Sequence, residues 1–253
     1  MLFEKEPSKV EVINDLNNEL VCFWRVIQHH LQPFIDGLRF AIISRQVYEW
    51  QRMSRPETLT DIQRAIRFYY LQRLTFAGKT KHDSFGTSAT QARPLNLSSI
   101  EETLLHVHWR LKAVTVEKLD AIRCIERYDR PTTVFYIDPP YLGNERSYAV
   151  HFEGEDFNRL LAALKSMQGR FILSINDCHE AREMFSAFNI KKVSLTYTSG
   201  NPRTSRGTRG KERNELLISN FKILKKLTSG SRRGDSFSKS ADRIATFSMA
   251  DSG

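Results

Sequence analysis

The chain has 253 residues, with 38 Lys and Arg against 29 Asp and Glu, a formal net charge of +9 and a pI of about 9.5. Hydrophobic residues make up 40 % and aromatic residues 11 %, which supports a folded core in one large domain or one domain with a small insert, and excludes disorder along most of the length. No apolar run approaches the roughly 20 residues of a bilayer-spanning helix, the opening Met1-Leu2-Phe3-Glu4-Lys5-Glu6 lacks the order of a signal peptide, so the cytoplasm is expected, and Cys22, Cys124 and Cys178 are too widely spaced for a zinc site or a disulfide framework.

Residues 9–15 alternate apolar and polar and end on an acid, which predicts a strand delivering Asp15 at its carboxyl end. Leu20, Phe23, Trp24 and Ile27 then recur at helical spacing. From about 45 to 110 helices and irregular segments are predicted, with Asp61 as the cap of a helix carrying Arg64, Arg67 and Arg73. Residues 78–86 read as an exposed loop bearing Lys79 and Lys81, and a helix follows from about Ser98 to Leu111. Between 45 and 93 nine basic residues face four acidic ones.

Strand signals return at 113–116, followed by a helix to Arg127 and a short, nearly continuous apolar run at 132–138 bounded by Pro131 and Pro139, the pattern of a buried parallel strand. A helix at about 155–168, a strand from Phe171 to Asn176, a helix at about 179–187, a strand from Lys191 to Tyr197, a basic loop and a strand from Asn214 to Asn220 complete the predicted elements. Residues 200–233 hold ten basic and two acidic side chains, and the Ser-rich stretch 228–253 reads as a disordered tail. Alternating strands and helices predict an α/β fold, an open and mostly parallel sheet with helices on both faces and ligand sites at strand ends. The last two strands, joined by a loop of roughly 15 residues, are expected to pair antiparallel. The two basic segments point to a polyanion, nucleic acid first, against the plainer reading of a solvated surface with a basic tail.

Asp138-Pro139-Pro140-Tyr141 stands at the carboxyl end of the predicted strand 132–138. One reading is a rigid turn with Tyr141 in the core. The other is methyl transfer to an amine of a planar base. The exocyclic nitrogen of adenine is a poor nucleophile because its lone pair is delocalised into the ring. A carboxylate and a backbone carbonyl that accept its two hydrogens free that pair, and Asp138 with the Pro139 carbonyl, held rigid by two prolines, provides both. Tyr141 offers a stacking face to an extruded base, and the reaction is a direct displacement at a sulfonium methyl driven by alignment and electrostatics. No Pro-Cys pair occurs, which excludes the nucleophile of a cytosine-carbon methyltransferase.

At these residues the chain resembles the Dam-like, DPPY-type N6-adenine DNA methyltransferases, particularly phage and prophage members. The resemblance runs from residue 3 to about 221. It rests on Pro7 to Leu16, on Arg64-Ala65-Ile66-Arg67-Phe68-Tyr69-Tyr70-Leu71, on Tyr128-Asp129-Arg130-Pro131 leading into Asp138-Pro139-Pro140-Tyr141, on Leu173-Ser174-Ile175-Asn176-Asp177 and on Asn214 to Phe221. It implies a Rossmann-like methyltransferase sheet over 1–44 and 111–227, a helical target-recognition lobe over 45–110, S-adenosylmethionine as cofactor and duplex DNA as substrate. A monomer is expected, and a cognate restriction enzyme is an open partner. By the same resemblance Asp15 binds the cofactor's ribose hydroxyls and Asp120 lies near its adenine; a solvated carboxylate and a helix cap are the respective alternatives. Asn176 and Asp177 form a wall beside the site without a catalytic role. Arg64, Arg67, Arg73, Lys79, Lys81 and Arg93 in the lobe, and Arg203, Arg206, Arg209 and Lys211 in the basic loop, are expected on DNA.

The chain departs from the family pattern at its start. No Gly-x-Gly or Gly-Gly occurs anywhere, and the first glycine is Gly37, whereas the family carries a Phe-x-Gly-Gly turn where a side chain would occupy the cofactor's space. The expectation is weak cofactor binding and an exposed sheet edge, from a start codon placed too late, a gene fragment or a decayed enzyme. A catalytically impaired DNA-binding remnant and an RNA or other amine methyltransferase are the competing functions.

Overall fold

A computed structural model describes residues 2–75, 97–142, 154–196 and 212–223. The loop at 78–86, Lys79, Lys81, Arg93, the basic loop with Arg203, Arg206, Arg209 and Lys211, and the tail at 228–253 lie outside them. The chain divides into two compact units, Met1–Asp120 and Ala121–Gly253.

In the first unit β1 (Glu11–Asn14) and β2 (Val114–Glu117) form a parallel pair. α1 (Asn18–His29) starts where the Asn17 side chain accepts the backbone N–H groups of Glu19 and Leu20, and it buries Val21, Cys22, Phe23, Trp24, Val26 and Ile27. α2 (Leu31–Arg39), α3 (Arg45–Met53) and, after a 3-10 turn at Pro56–Thr58, α4 (Asp61–Leu74) follow. α4 begins with a capping box between Thr60 and Gln63. Thr60 therefore caps it, and Asp61, expected as the cap, is the first helical residue; a hydroxyl flanked by extended backbone and followed three residues on by Gln outcompetes the acid behind it. α4 brings Phe68 and Tyr69 to Phe23 of α1, Tyr69 stacked at 5.8 Å, with Phe34 of α2 edge-on to Tyr69 at 5.6 Å. α5 (Leu97–Leu111) buries Ile100, Leu104, Val107 and Leu111 at helical spacing. Bonds between His108 Nδ1 and Ile27 O at 2.8 Å, and from Gln28 Nε2 to Leu111 O at 2.7 Å and Val114 O at 2.8 Å, tie α5 and β2 to α1. Thus α4 and α5, within the 45–110 stretch, share one core with α1 and α2.

Both ends of β1 are fixed by long-range polar contacts. Glu11, 2 % exposed, pairs with Lys5 and Arg110 and accepts the Ser8 N–H at 3.1 Å. Burial opposes its ionisation, but the bonds from Arg110, Lys5 and Ser8 prevail and bring its pKa from an ordinary 4.5 down to about 2. At the other end Asn14, also buried, donates to Leu119 O at 2.9 Å and accepts from Leu119 N–H at 2.7 Å.

The second unit carries a four-stranded sheet in the order β3 (Val134–Ile137), β4 (Arg170–Asn176), β6 (Glu212–Ser219), β5 (Asn189–Thr196). β3 and β4 run parallel, while β6 is antiparallel to both β4 and β5. The antiparallel last pair matches expectation. Among the described residues, however, there are two sheets with two parallel and two antiparallel pairings, not one mostly parallel sheet. Within the second unit the departure lies in β6, which pairs antiparallel on both of its edges. α6 (Ala121–Tyr128) packs on α7 (Gly154–Ser166), and α8 (His179–Met184) buries Ala181. Phe135, Ile137, Phe157, Phe171, Leu173, Ile175, Leu216 and Ile218 form buried apolar positions of this unit. The turn into β4 is held by Asp129, whose carboxylate accepts the N–H groups of Gln168 at 2.8 Å and Gly169 at 2.7 Å. A Cβ at Gly169 would stand 2.8 Å from the carbonyl oxygens of Arg130 and Thr133, so only glycine fits there.

The Glu11 cluster sets a testable stability. Arg110→Met removes one of the two cations on this buried carboxylate, leaving Lys5 and the Ser8 N–H, and is expected to lower the unfolding free energy at neutral pH by about 1.5–3 kcal/mol. Because the folded-state pKa of Glu11 is depressed, the stability it supplies is complete above 4.5 and lost as pH falls toward about 2. Urea titrations at several pH values should show that acid-side loss in the parent chain and a flatter one in the variant.

Candidate active site

The alternation of β3 sends Phe135 and Ile137 into the core and leaves Tyr136 and Asp138 on the other side, half-buried. Pairing of Tyr136 with Ile172 and of Ile137 with Leu173, continued one step, brings Asp138 beside Ser174 of β4. The Ser174 hydroxyl donates to Asp138 Oδ1 at 2.8 Å, and the Tyr136 hydroxyl lies 3.1 Å from the same Ser174 Oγ. Pro139 is buried and Pro140 half-buried, so the tetrapeptide leaves the strand as a rigid corner.

Neighbouring strand ends hold the rest of the segment. The Tyr141 hydroxyl donates to the Glu215 carboxylate of β6, and Asn176 Nδ2 at the end of β4 donates to Leu142 O at 3.1 Å. Asn176 and Glu215 are paired across the β4–β6 ladder. The Asn176 Oδ1 is buried and, among the described residues, has no hydrogen-bond partner. Asp177, next along, turns to Arg182 at 2.6 Å and to Lys192 at 3.8 Å, and the Arg182 bond holds its carboxyl below the usual range.

In the first unit Asp15 directly follows β1, where its N–H bonds Glu117 O at 3.4 Å and its Oδ1 accepts the Asn17 N–H at 2.6 Å. Burial pushes its carboxyl from an ordinary 3.8 up to about 6, against the pull of the Asn17 N–H. Asp120, half-buried, closes the turn that Asn14 clasps through Leu119 and directly precedes α6. Asp15 and this turn therefore leave the adjacent carboxyl ends of a parallel pair.

Of the arginines expected on DNA, Arg64 is paired with Glu19 of α1 through Nε at 2.9 Å and Nη2. Arg67 donates to Gln51 O at 2.6 Å and Arg52 O at 3.3 Å, and it lies 3.8 Å from Glu19. Both guanidiniums thus brace α4 internally. The Arg73 guanidinium lies 5.9 Å from the Tyr69 ring centre.

Three residues around these sites were not singled out by sequence reasoning. Ser174 and Asn14 stand inside the motif segments, and strand periodicity from Leu173 places Ser174 on the Asp138 side; Glu215 needs the β4–β6 register, which the sequence does not display.

The model of a family described as D12 class N6 adenine-specific DNA methyltransferase matches residues 1–199. The chain is 26 % identical over 240 residues to the Type II methyltransferase M1.LlaDCHI of Lactococcus lactis subsp. cremoris, covering 87 % of this chain and 82 % of the relative. It is 23 % identical over 183 residues to the Type II methyltransferase M.CviBI of Paramecium bursaria Chlorella virus NC1A, covering 70 % and 69 %. With the family match spanning well over half of its length, the chain belongs to the D12 class of N6-adenine-specific DNA methyltransferases.

Proposed function

We propose that the chain transfers a methyl group from S-adenosylmethionine to the exocyclic N6 of an adenine flipped out of duplex DNA. The observation that carries this reading is Asp138, a carboxylate at the carboxyl end of a parallel strand, oriented by Ser174 and followed by two prolines. Family membership supports DNA as the substrate class and adenine as the target base. The Type II designation of both relatives supports a cognate restriction enzyme as a partner in the host.

Asp15 fits a ribose diol. It is a carboxylate beyond a strand end, with one oxygen bonded to Asn17 N–H and acceptor capacity for two hydroxyls. Asp120, on the turn beside it, is assigned to the adenine end of the cofactor. S-Adenosylmethionine, when bound, supplies a methyl group on a positively charged sulfur whose departure needs no acid. Asp138 and the Pro139 carbonyl accept the two N6 hydrogens, so the nitrogen lone pair forms the new N–C bond while the C–S pair stays on sulfur. N6 then sheds one proton to solvent, with Asp138 as the first acceptor. Tyr141, its hydroxyl anchored on Glu215, stacks against the extruded base. The helices of 45–110 are assigned to target recognition, with Arg73, Lys79, Lys81 and Arg93 as contacts, and Arg203, Arg206, Arg209 and Lys211 to phosphates.

Four outcomes are expected. Asp138→Ala should lower transfer of labelled methyl to adenine-containing duplexes by about 10²–10³-fold while leaving duplex binding intact, and a variant that keeps its activity refutes the assigned chemistry. Since the Asp15 pKa is raised to about 6, cofactor affinity measured by calorimetry should fall about tenfold per pH unit below that point, and Asp15→Asn should bind weakly with no such pH dependence. By the same sign, ionised Asp15 weakens the fold above pH 6, so Asp15→Asn should not lower the melting temperature at pH 7.5. Replacing Arg203, Arg206, Arg209 and Lys211 together by Gln should reduce the slope of log affinity against log salt by ~0.9 for each phosphate that the chain no longer neutralises.

A further inference from the structure

We propose that Ser174, backed by Tyr136, is a positioning residue that keeps the Asp138 carboxylate ionised and correctly turned to accept a hydrogen from the target amine. The proposal rests on the reading of Asp138 as that acceptor.

A serine has a single hydroxyl hydrogen. At 2.8 Å from Asp138 Oδ1 that hydrogen belongs to the carboxylate, because an ionised carboxylate only accepts. The Tyr136 hydroxyl, 3.1 Å from the same Ser174 oxygen, is then the donor there. The order is fixed as Tyr136 O–H to Ser174 Oγ, and Ser174 O–H to Asp138 Oδ1. Each hydroxyl is polarised by the next, and the chain ends on a charge.

The setting makes this bond matter. Ser174 is 3 % exposed and stands on β4 between Leu173 and Ile175, both fully buried, so water does not replace the hydroxyl. Asp138, directly after β3, is two residues from Tyr136 and shares its side, so one serine on the neighbouring strand meets both. Among the described residues, neighbouring titratable groups have partners of their own. Tyr141 is bonded to Glu215, and Asp177 is paired with Arg182 and Lys192.

Two consequences follow. A donor to the charged form stabilises it over the protonated acid, and an acid that kept its proton would present a donor to N6 where an acceptor is needed. The bond to Oδ1 also fixes the twist of the carboxylate about its Cβ–Cγ bond, a torsion that is otherwise soft.

The test uses the full chain and titrates the Asp138 carboxyl carbon by ¹³C NMR, with the resonance assigned by its loss in Asp138→Asn. Ser174→Ala should raise the titration midpoint by about one pH unit. Tyr136→Phe should raise it less, and Ser174→Thr, which keeps the hydroxyl, should restore it. In methylation assays the same Ser174→Ala change should lower kcat about tenfold, alter the KM for DNA by less than about threefold and move the acid limb of the kcat profile to higher pH. An unmoved midpoint in a folded Ser174→Ala chain overturns the proposal, as does an unmoved midpoint in Tyr136→Phe should the serine variant not fold. Failure of the underlying reading shows differently, as activity retained in Asp138→Ala; an inactive Asp138→Ala with an unmoved Ser174→Ala midpoint removes the relay alone.

Discussion

A strand that ends leaves backbone groups its neighbour no longer pairs, and in each of the two units the candidate residues stand where side chains take over that pairing. Asn14 at the end of β1 bonds both backbone groups of Leu119. Asn176 at the end of β4 bonds the Leu142 carbonyl after the tetrapeptide. At the start of the same strand Asp129 accepts Gln168 and Gly169 N–H, while Asn220 accepts Phe171 N–H at 3.1 Å and donates to Gly169 O at 2.8 Å. Buried amide groups left unpaired would cost about 1–3 kcal/mol each. These clasps remove that penalty and fix where the chain goes next. Asp15, Asp120 and Asp138 all lie one or a few residues past such a strand end.

The acids of this basic chain show how surroundings decide a carboxylate's work. Glu11 and Asp15 are four residues apart, at the two ends of β1. The first is matched by two cations and a backbone N–H and stays ionised despite its burial; the second has one N–H and is driven toward neutrality. Glu11 is therefore a structural anion, and Asp15 a carboxylate with few partners, which suits its proposed role of receiving hydroxyls. Asp138 accepts a bond from a neutral donor, Ser174. A neutral donor orients a carboxylate without neutralising it.

What could be read from the sequence was local. The apolar run before Asp138, the alternation before Asp15 and the helical spacing after it gave strands and helices within two or three residues of their bounds, because burial on one face imposes its own period. The carboxyl-end positions of Asp15 and Asp138 were legible for the same reason. Long-range pairing was not. Glu11 meets Arg110 across 99 residues and Asn14 meets Leu119 across 105, and no window of sequence contains either contact. The internal partners of Arg64 and Arg67 were equally out of reach. On a helix with several basic residues they read as nucleic-acid contacts, yet Glu19, 45 residues before Arg64, takes one guanidinium and the carbonyls of Gln51 and Arg52 take the other. The strand order of the second unit was hidden likewise, since it depends on which edges meet and not on the strands' own composition.

Asp138 and its rigid corner are proposed to direct a methyl group to the N6 of adenine, and the most direct test is nucleoside mass spectrometry of duplex DNA incubated with the full chain and S-adenosylmethionine carrying a deuterated methyl group. Labelled N6-methyldeoxyadenosine, with no other labelled nucleoside, is the predicted result. Label on the N4 or C5 of cytosine, or no label in DNA at all, would contradict it.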